Sequence, residues 1–284
     1  MNQPPVFVIG LPESGRRARI ADRLRELAIP FRLIDAIDGR KLTAEEMRNC
    51  HDETAVLARV GRSMGRGEIG CALSHRMVYR TMREDACPAA VILEEDAEVG
   101  EDFAALWRNL GQVPGTVELL SFHAAHGFIW RRAEFTILDF CLHRAASPLT
   151  LTVGYFVRLV AAEKLSRTPR VEGVADWPVD HGVVRHYLAL PMPVGHPPRH
   201  SALAEERTLL QEGATASVPF RILRAVLFLS FLPFLWGRSR YASLQNYVDR
   251  EVGWRLLRHF TAFFIDVAEL PRQNSAVRMW INSV

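Results

Sequence analysis

Val91-Ile92-Leu93-Glu94-Glu95-Asp96 is the stretch on which this chain turns: an apolar run of strand length that stops at three consecutive carboxylates. A strand buried on both faces reads as a continuous apolar run, and open α/β sheets bind ligands beyond the carboxyl ends of such strands. Three adjacent acids repel one another, so the cluster is costly unless something offsets its charge. A divalent cation can do so, and hard carboxylate oxygens suit Mg²⁺ or Mn²⁺. The competing reading is a solvated acidic turn that merely ends a strand.

Towards the amino terminus, Val6–Gly10 reads as a first buried strand. Ser14 is placed to cap a helix running to about Ala28, with Ile20, Leu24 and Leu27 on its apolar face. Arg16, Arg17 and Arg19 load the first turns of that helix against its macrodipole. An anionic phosphate in front of the turn would make use of them; the plainer account is that they face water. Phe31–Ala36 forms a second strand, so the opening predicts parallel pairing through a right-handed crossover. Asp35 and Asp38 fall at its carboxyl end, where doubly wound folds meet a ribose. Neither G-x-G-x-x-G nor G-x-x-x-x-G-K occurs, which weakens dinucleotide and P-loop readings.

Between the two strands and the acidic run, the pattern predicts a helix from Gly67 to about Glu84. Glu68, Cys71 and His75 share one face of it, continuing into Val78 and Met82. Polar groups at the head of an inward-facing stripe must be paired or face a polar pocket. A zinc site from Glu68, Cys71 and His75 is one reading; a satisfied core histidine is the other. Further along, the pattern predicts a helix at Asp102–Leu110 and strands at Val117–Phe122 and Leu149–Val157. A helix follows near Val160–Ser166, and His123 and His126 sit in a Gly-containing loop. Asp176-Trp177-Pro178-Val179-Asp180-His181 is a polar and aromatic knot of the kind that carries function on loops.

The 284 residues are 49% hydrophobic, enough for a substantial core. The formal net charge of +3 gives no field that points to nucleic acid. Lys41 and Lys164 are the only lysines among the 35 basic residues; the remaining arginines suit phosphate recognition through their forked donors. Four dispersed cysteines suggest neither a disulfide framework nor a structural zinc site. The first residues lack the pattern of a signal peptide, so a cytoplasmic location is expected.

Several blocks resemble glycosyltransferase family 25, the group that includes bacterial lipooligosaccharide galactosyltransferases and animal collagen galactosyltransferases. The blocks are the strand and Arg-containing helix over Val8–Arg19, the F…DA·DG-like segment Phe31–Gly39, and Arg66–His75, which is similar to RGEIGC..SH. Ile92–Ala97 is similar to ILEDDA, and Gly154-Tyr155 with Pro178–His181 to the GY and P·DH elements. Two positions depart from the pattern: Glu95 stands where the family usually has Asp, and Gly10 where Asn is common.

The resemblance implies a GT-A type, Rossmann-like α/β fold that binds a UDP-sugar donor with Mn²⁺ (or Mg²⁺). In that picture Asp96 and Glu94 hold the metal, Glu95 or Glu94 touches ribose or metal-bound water, and Arg17 and Arg66 meet the diphosphate. Asp38 meets the nucleoside, while Ile9, Gly39, Glu68, Ser74 and His75 shape the donor pocket. The family is inverting, so Asp180, or failing it Asp176, is expected to act as general base. The implied reaction moves a hexose, expected to be galactose, onto a lipopolysaccharide or lipooligosaccharide core. A degenerate saccharide-binding or scaffolding relative and a metal-dependent phosphoesterase are the competing classes.

The catalytic domain is expected over residues 1–210 and a helical region over 211–284. The apolar run Ala225–Trp236 is flanked by arginines within 221–240 and is too short to cross a bilayer. It suits peripheral contact with an anionic membrane surface, where a glycolipid acceptor would be presented. A helical stripe follows from Leu244 through Phe260 to Phe264 and Val267.

Overall fold

The computed structural model describes residues 3–151, 153–196 and 264–267 of the chain. In chain order the elements are β1 (Val6–Gly10), α1 (Gly15–Glu26), β2 (Phe31–Asp35), α2 (Ala44–Cys50), α3 (Glu53–Val60), α4 (Arg66–Glu84) and β3 (Ala89–Glu94). Then come β4 (Glu98–Val99), α5 (Glu101–Asn109), β5 (Leu119–Ser121), β6 (Phe128–Trp130), β7 (Phe135–Ile137) and β8 (Phe140–Arg144). The series closes with β9 (Gly154–Arg158), α6 (Leu159–Leu165), β10 (His186–Leu190), β11 (Val194–Gly195) and β12 (Phe264–Asp266).

Eight strands form one mixed sheet in the order β2-β1-β3-β9-β5-β10-β8-β7. The parallel β1–β2 pair matches the crossover expected from the opening sequence, and β3 adds a further parallel partner on the other side of β1. Beyond β3 the sheet is no longer parallel, because β9 runs antiparallel to both β3 and β5. Side chains alternate across a strand, and here each face has its own core. Val6, Val8, Val91 and Leu93 pack with Leu24 of α1 and Phe103 and Leu106 of α5. Phe7, Ile9, Ala90 and Ile92 pack with Val78 and Met82 of α4 and Ala161 and Ala162 of α6. The result is a three-layer α/β/α arrangement, which explains why β1, and β3 as far as Leu93, carry no polar side chain.

Ser14 caps α1 as expected, its side chain accepting from the Arg16 N–H. β9 begins later than the predicted Leu149, since Leu151 takes a left-handed φ of 80° that no strand residue adopts. The expected helical stripe meets a correction at its end. Phe264–Asp266 is a strand paired antiparallel with β6, and Val267 is buried among Ala124, Ile129 and Ala145. The apolar run in 221–240 and the rest of the stripe lie outside the described residues. Among the described residues no helix is long and apolar enough to cross a membrane.

One half-buried group makes the fold acid-sensitive. The Nε2 of His186, at the start of β10, lies 2.8 Å from the Ser121 hydroxyl. Burial, with a smaller contribution from His181, pushes this imidazole from 6.5 down to about 3. The unfolded chain therefore binds a proton that the native state refuses. Stability is complete above the unfolded value and is lost as pH falls from 6.5 towards 3. At pH 5 the loss from this group is about 2 kcal/mol. Urea midpoints at pH 7 and pH 5 check this: the wild type should weaken at the lower pH, and His186→Asn should weaken less. Equal pH slopes for the two proteins would exclude the assignment.

Candidate functional site

β1 leads through α1 to β2 on one side, and β2 leads back through α2, α3 and α4 to β3 on the other side of β1. Loops leaving the carboxyl ends of β1 and β2 therefore pass to opposite faces of the sheet, to α1 on one and towards α4 on the other, and open sheets bind ligands at such a switch point. The crevice here has a volume of about 390 Å³. Its walls come from the end of β1, Arg16 of α1, residues 36–40, the first half of α4 and Glu94–Asp96.

The three acids part because of strand alternation. Ile92 faces the α4 layer, so Glu94 does as well, with Oε1 3.2 Å from His75 Nε2 and 3.9 Å from Cys71 Sγ. Glu95 turns towards α1. Its Oε2 accepts from the Leu11 N–H at 3.0 Å, and its Oε1 accepts from Arg16 at 3.0 Å and 2.7 Å. Asp96 lies past the strand end and faces His196, with 3.5 Å between Oδ2 and Nε2, while Arg16 stands 3.9 Å away. The register of β4 with β11, Gly195 opposite Glu98, is what brings His196 there.

Burial works against the charge of Asp96, but the hydrogen bond and charge of His196, aided by Arg16, outweigh it and hold the carboxyl below the ordinary range. The same hydrogen bond raises His196, against the opposing effect of its own partial burial. The second carboxylate oxygen, Oδ1, is buried and has no hydrogen-bond partner among the described residues. Such an orphaned acceptor is costly in an apolar setting and fits a hard cation.

The opposite wall is built on close backbone contact. A Cβ on Gly70 would stand 2.4 Å from the Ile37 carbonyl, and one on Gly39 would collide with the Arg66 carbonyl. Only glycine at both positions lets residues 36–40 lie directly on α4. Ser74 fastens that contact, donating to the Gly70 carbonyl at 2.7 Å and accepting from the Ile37 N–H at 2.8 Å. Asp38 caps the following 3-10 turn (Gly39–Lys41) and is held by Arg40 at 2.8 Å and 3.0 Å. That hydrogen bonding keeps its carboxyl below the ordinary range.

Of the residues singled out in the sequence, the crevice brings together Ile9, Asp38, Gly39, Ser74, His75, Glu94, Glu95 and Asp96. It does not bring in five others. The guanidinium of Arg17 reaches back to Asp35 at 2.6 Å and to the Gly10 carbonyl, and Arg16 takes the inward place expected of it. Arg66 is exposed at the head of α4 and donates to the Leu42 carbonyl. Glu68 is buried as a helix cap, accepting from the Gly65 N–H at 3.0 Å and from Arg62 at 2.7 Å and 2.8 Å. Asp180 is engaged by Arg59 at 3.0 Å, and neither it nor Asp176 lines the crevice. His196 and Cys71 are the residues that the sequence reading undervalued. Cys71 stood on the same helical face as His75, whereas no local signal marks His196.

Residues 3–181 match the family model described as Glycosyltransferase family 25 (LPS biosynthesis protein). A Bos taurus protein named "Probable inactive glycosyltransferase 25 family member 3" is 32% identical over 169 residues, which is 56% of this chain and 28% of that protein. Human Procollagen galactosyltransferase 2 is 26% identical over 168 residues, 56% of this chain and 27% of that protein. The matched segment thus spans little more than a quarter of either relative's length. Among solved structures, the mannose-1-phosphate geranyltransferase of Thermus thermophilus aligns over 66% of this chain and 73% of its own. With 11% identity and a TM-score of 0.34, that likeness carries no weight here.

Proposed function

The chain belongs to glycosyltransferase family 25, and on that premise we propose that it is a metal-dependent, inverting transferase of the GT-A type that moves a hexose from a UDP-sugar. The observation that carries this reading is Asp96. It sits at the mouth of a switch-point crevice with one buried oxygen that has no protein partner among the described residues. Expulsion of UDP places negative charge on the β-phosphate, and a divalent cation held by Asp96 and Glu94 would supply compensating charge there.

The rest of the crevice has matching tasks. Arg16, with a half-exposed side chain, is close enough to Glu95 and Asp96 to present its guanidinium to a diphosphate. Residues 36–40, locked to α4 through Ser74, form a rigid ledge for the nucleoside, with Asp38 as its polar contact. His196 steadies Asp96 from the outer side. UDP-galactose as donor is supported by the galactosyl transfer in the human relative's name, and a lipopolysaccharide core as acceptor by the family's description. A glycolipid acceptor would place the reaction at the cytoplasmic face of a membrane, which the composition of 221–240 suits.

A second reading is a non-catalytic saccharide-binding relative. It is favoured by the inactive relative and by Glu95, whose carboxylate is taken up by Leu11 and Arg16. Thermal melting with UDP and a panel of UDP-sugars, each with and without Mn²⁺, separates the two. Ligand at a hundred times its dissociation constant should raise the melting point by roughly 5 °C, and only when Mn²⁺ is present. No metal-dependent response to any nucleotide would reject the transferase reading.

A further inference from the structure

Two cations of different chemistry can be served by this crevice. We propose that Cys71, His75 and Glu94 form a binding site for a borderline ion, Zn²⁺ before Mn²⁺ or Mg²⁺, on the α4 wall. The sequence placed Glu68, Cys71 and His75 on one helical face, but Glu68 is spent on Arg62 and the Gly65 N–H. Glu94 takes its place from across the sheet. The three donor atoms, Sγ, Nε2 and Oε1, lie within 4.8 Å of one another. A tetrahedral zinc ion, with ligands at about 2.0–2.3 Å, holds its donors roughly 3.3–3.8 Å apart. The 3.2 Å and 3.9 Å separations from Glu94 Oε1 fall about 0.1 Å to either side of that span, and side-chain rotations would complete the set.

The surroundings of His75 are those of a metal ligand. Its Nδ1 lies 2.7 Å from the Tyr155 hydroxyl, which lies 2.7 Å from the Tyr79 hydroxyl, and its ring stacks on Tyr155. A phenol hydroxyl can accept as well as donate. Tyr155 can thus accept a hydrogen bond from Nδ1–H, which leaves the Nε2 lone pair free on the side of Glu94 and Cys71. Fixing the tautomer from the second ring nitrogen is how metal-binding histidines are oriented. A thiolate donor selects zinc over the hard ions that Asp96 would take. Three protein donors leave a fourth position, and Cys71, His75 and Glu94 all border the crevice, so that position opens to the ligand space.

One consequence rests on the transferase reading. Zinc held here engages Glu94 and removes it from Asp96, so Zn²⁺ should weaken Mn²⁺-supported UDP binding.

The test uses the full chain stripped with chelator, titrated with Zn²⁺ by equilibrium dialysis and with Co²⁺ by absorption spectroscopy. One equivalent should bind, and the cobalt form should show thiolate charge-transfer absorption. Cys71→Ser should abolish that absorption, and Cys71→Ser and Glu94→Gln should each weaken Zn²⁺ binding at least tenfold while melting as the wild type does. Should Cys71→Ser fail to fold, the same tenfold loss in folded Glu94→Gln, with the cobalt band of the wild type, carries the case. No stoichiometric zinc, cobalt bound without thiolate absorption, or unchanged affinity in the variants would overturn the proposal. These readouts need neither nucleotide nor turnover, so they stand if the transferase reading fails. If that reading holds, Mn²⁺-supported UDP binding by Cys71→Ser should resist added Zn²⁺.

Discussion

Asp96→Asn is expected to lower donor turnover roughly a thousandfold, a loss of about 4 kcal/mol in transition-state stabilisation. The substitution keeps the size and shape of the side chain while removing its charge. It spares the contact with His196, because an amide oxygen still accepts where Oδ2 does now. The fold should therefore survive, and circular dichroism and melting will report that directly. What disappears is the anionic attraction for a cation at the mouth of the crevice. UDP release from UDP-galactose, measured at saturating Mn²⁺, is the readout. Glu95→Gln is the control, since its carboxylate oxygens are already taken by the Leu11 N–H and Arg16. A far smaller drop, on the order of tenfold, follows from losing one charge-assisted contact to Arg16. Equal losses in the two variants would mean that the acidic run acts only as bulk charge.

The contrast between these neighbours shows what the sequence could and could not disclose. That Val91–Leu93 is a buried strand, and that it ends at acids, follows from apolar continuity; that it lies beside β1 is added by the structure. The same period-2 logic, once the strand is known, sends Glu94 towards α4 and Glu95 towards α1. Three things lay beyond it. His196 reaches Asp96 through the two-residue β4–β11 pair, a contact across 100 positions with no local pattern to announce it. Arg16 and Arg17 are adjacent on one helix, and only the position of Asp35 decides which of them turns away. Glu68 and Asp180 carry the same charge as the acids of the crevice, but Arg62 and Arg59 claim them, and such pairings depend on how α3 packs. Helices α2 and α3 had no strong apolar period to reveal them.

Gly10 and Glu95, the two departures from the family pattern, turn out to be one feature, and a double-mutant cycle should show it. A Cβ built on Gly10 would stand 2.7 Å from Glu95 Oε2 and 3.0 Å from Glu95 Cβ, with Arg17 Cβ at 3.3 Å. The longer Glu95 therefore occupies the space that a side chain at position 10 would need. Gly10→Asn alone should cost about 1–3 kcal/mol through overpacking, and it should displace Glu95 from Leu11 and Arg16. Glu95→Asp alone should cost about 1–2 kcal/mol, because a carboxylate one methylene shorter falls away from the partly buried Leu11 N–H. Combined, the changes relieve each other in part: the shortened acid withdraws the carboxylate oxygen at 2.7 Å, though not its Cβ, and the new amide can approach the same N–H. Urea unfolding of the four proteins should give a favourable coupling of about 1–2 kcal/mol, where independent sites would give near zero. A strictly additive result would mean that the departures arose separately, each with its own cost to the crevice. Coupling would mean that the Glu-Glu-Asp run is a repacked form of the family's acidic motif. It would leave Asp96 facing the crevice with its cation-binding geometry intact, and the case for an inactive relative would lose its structural basis.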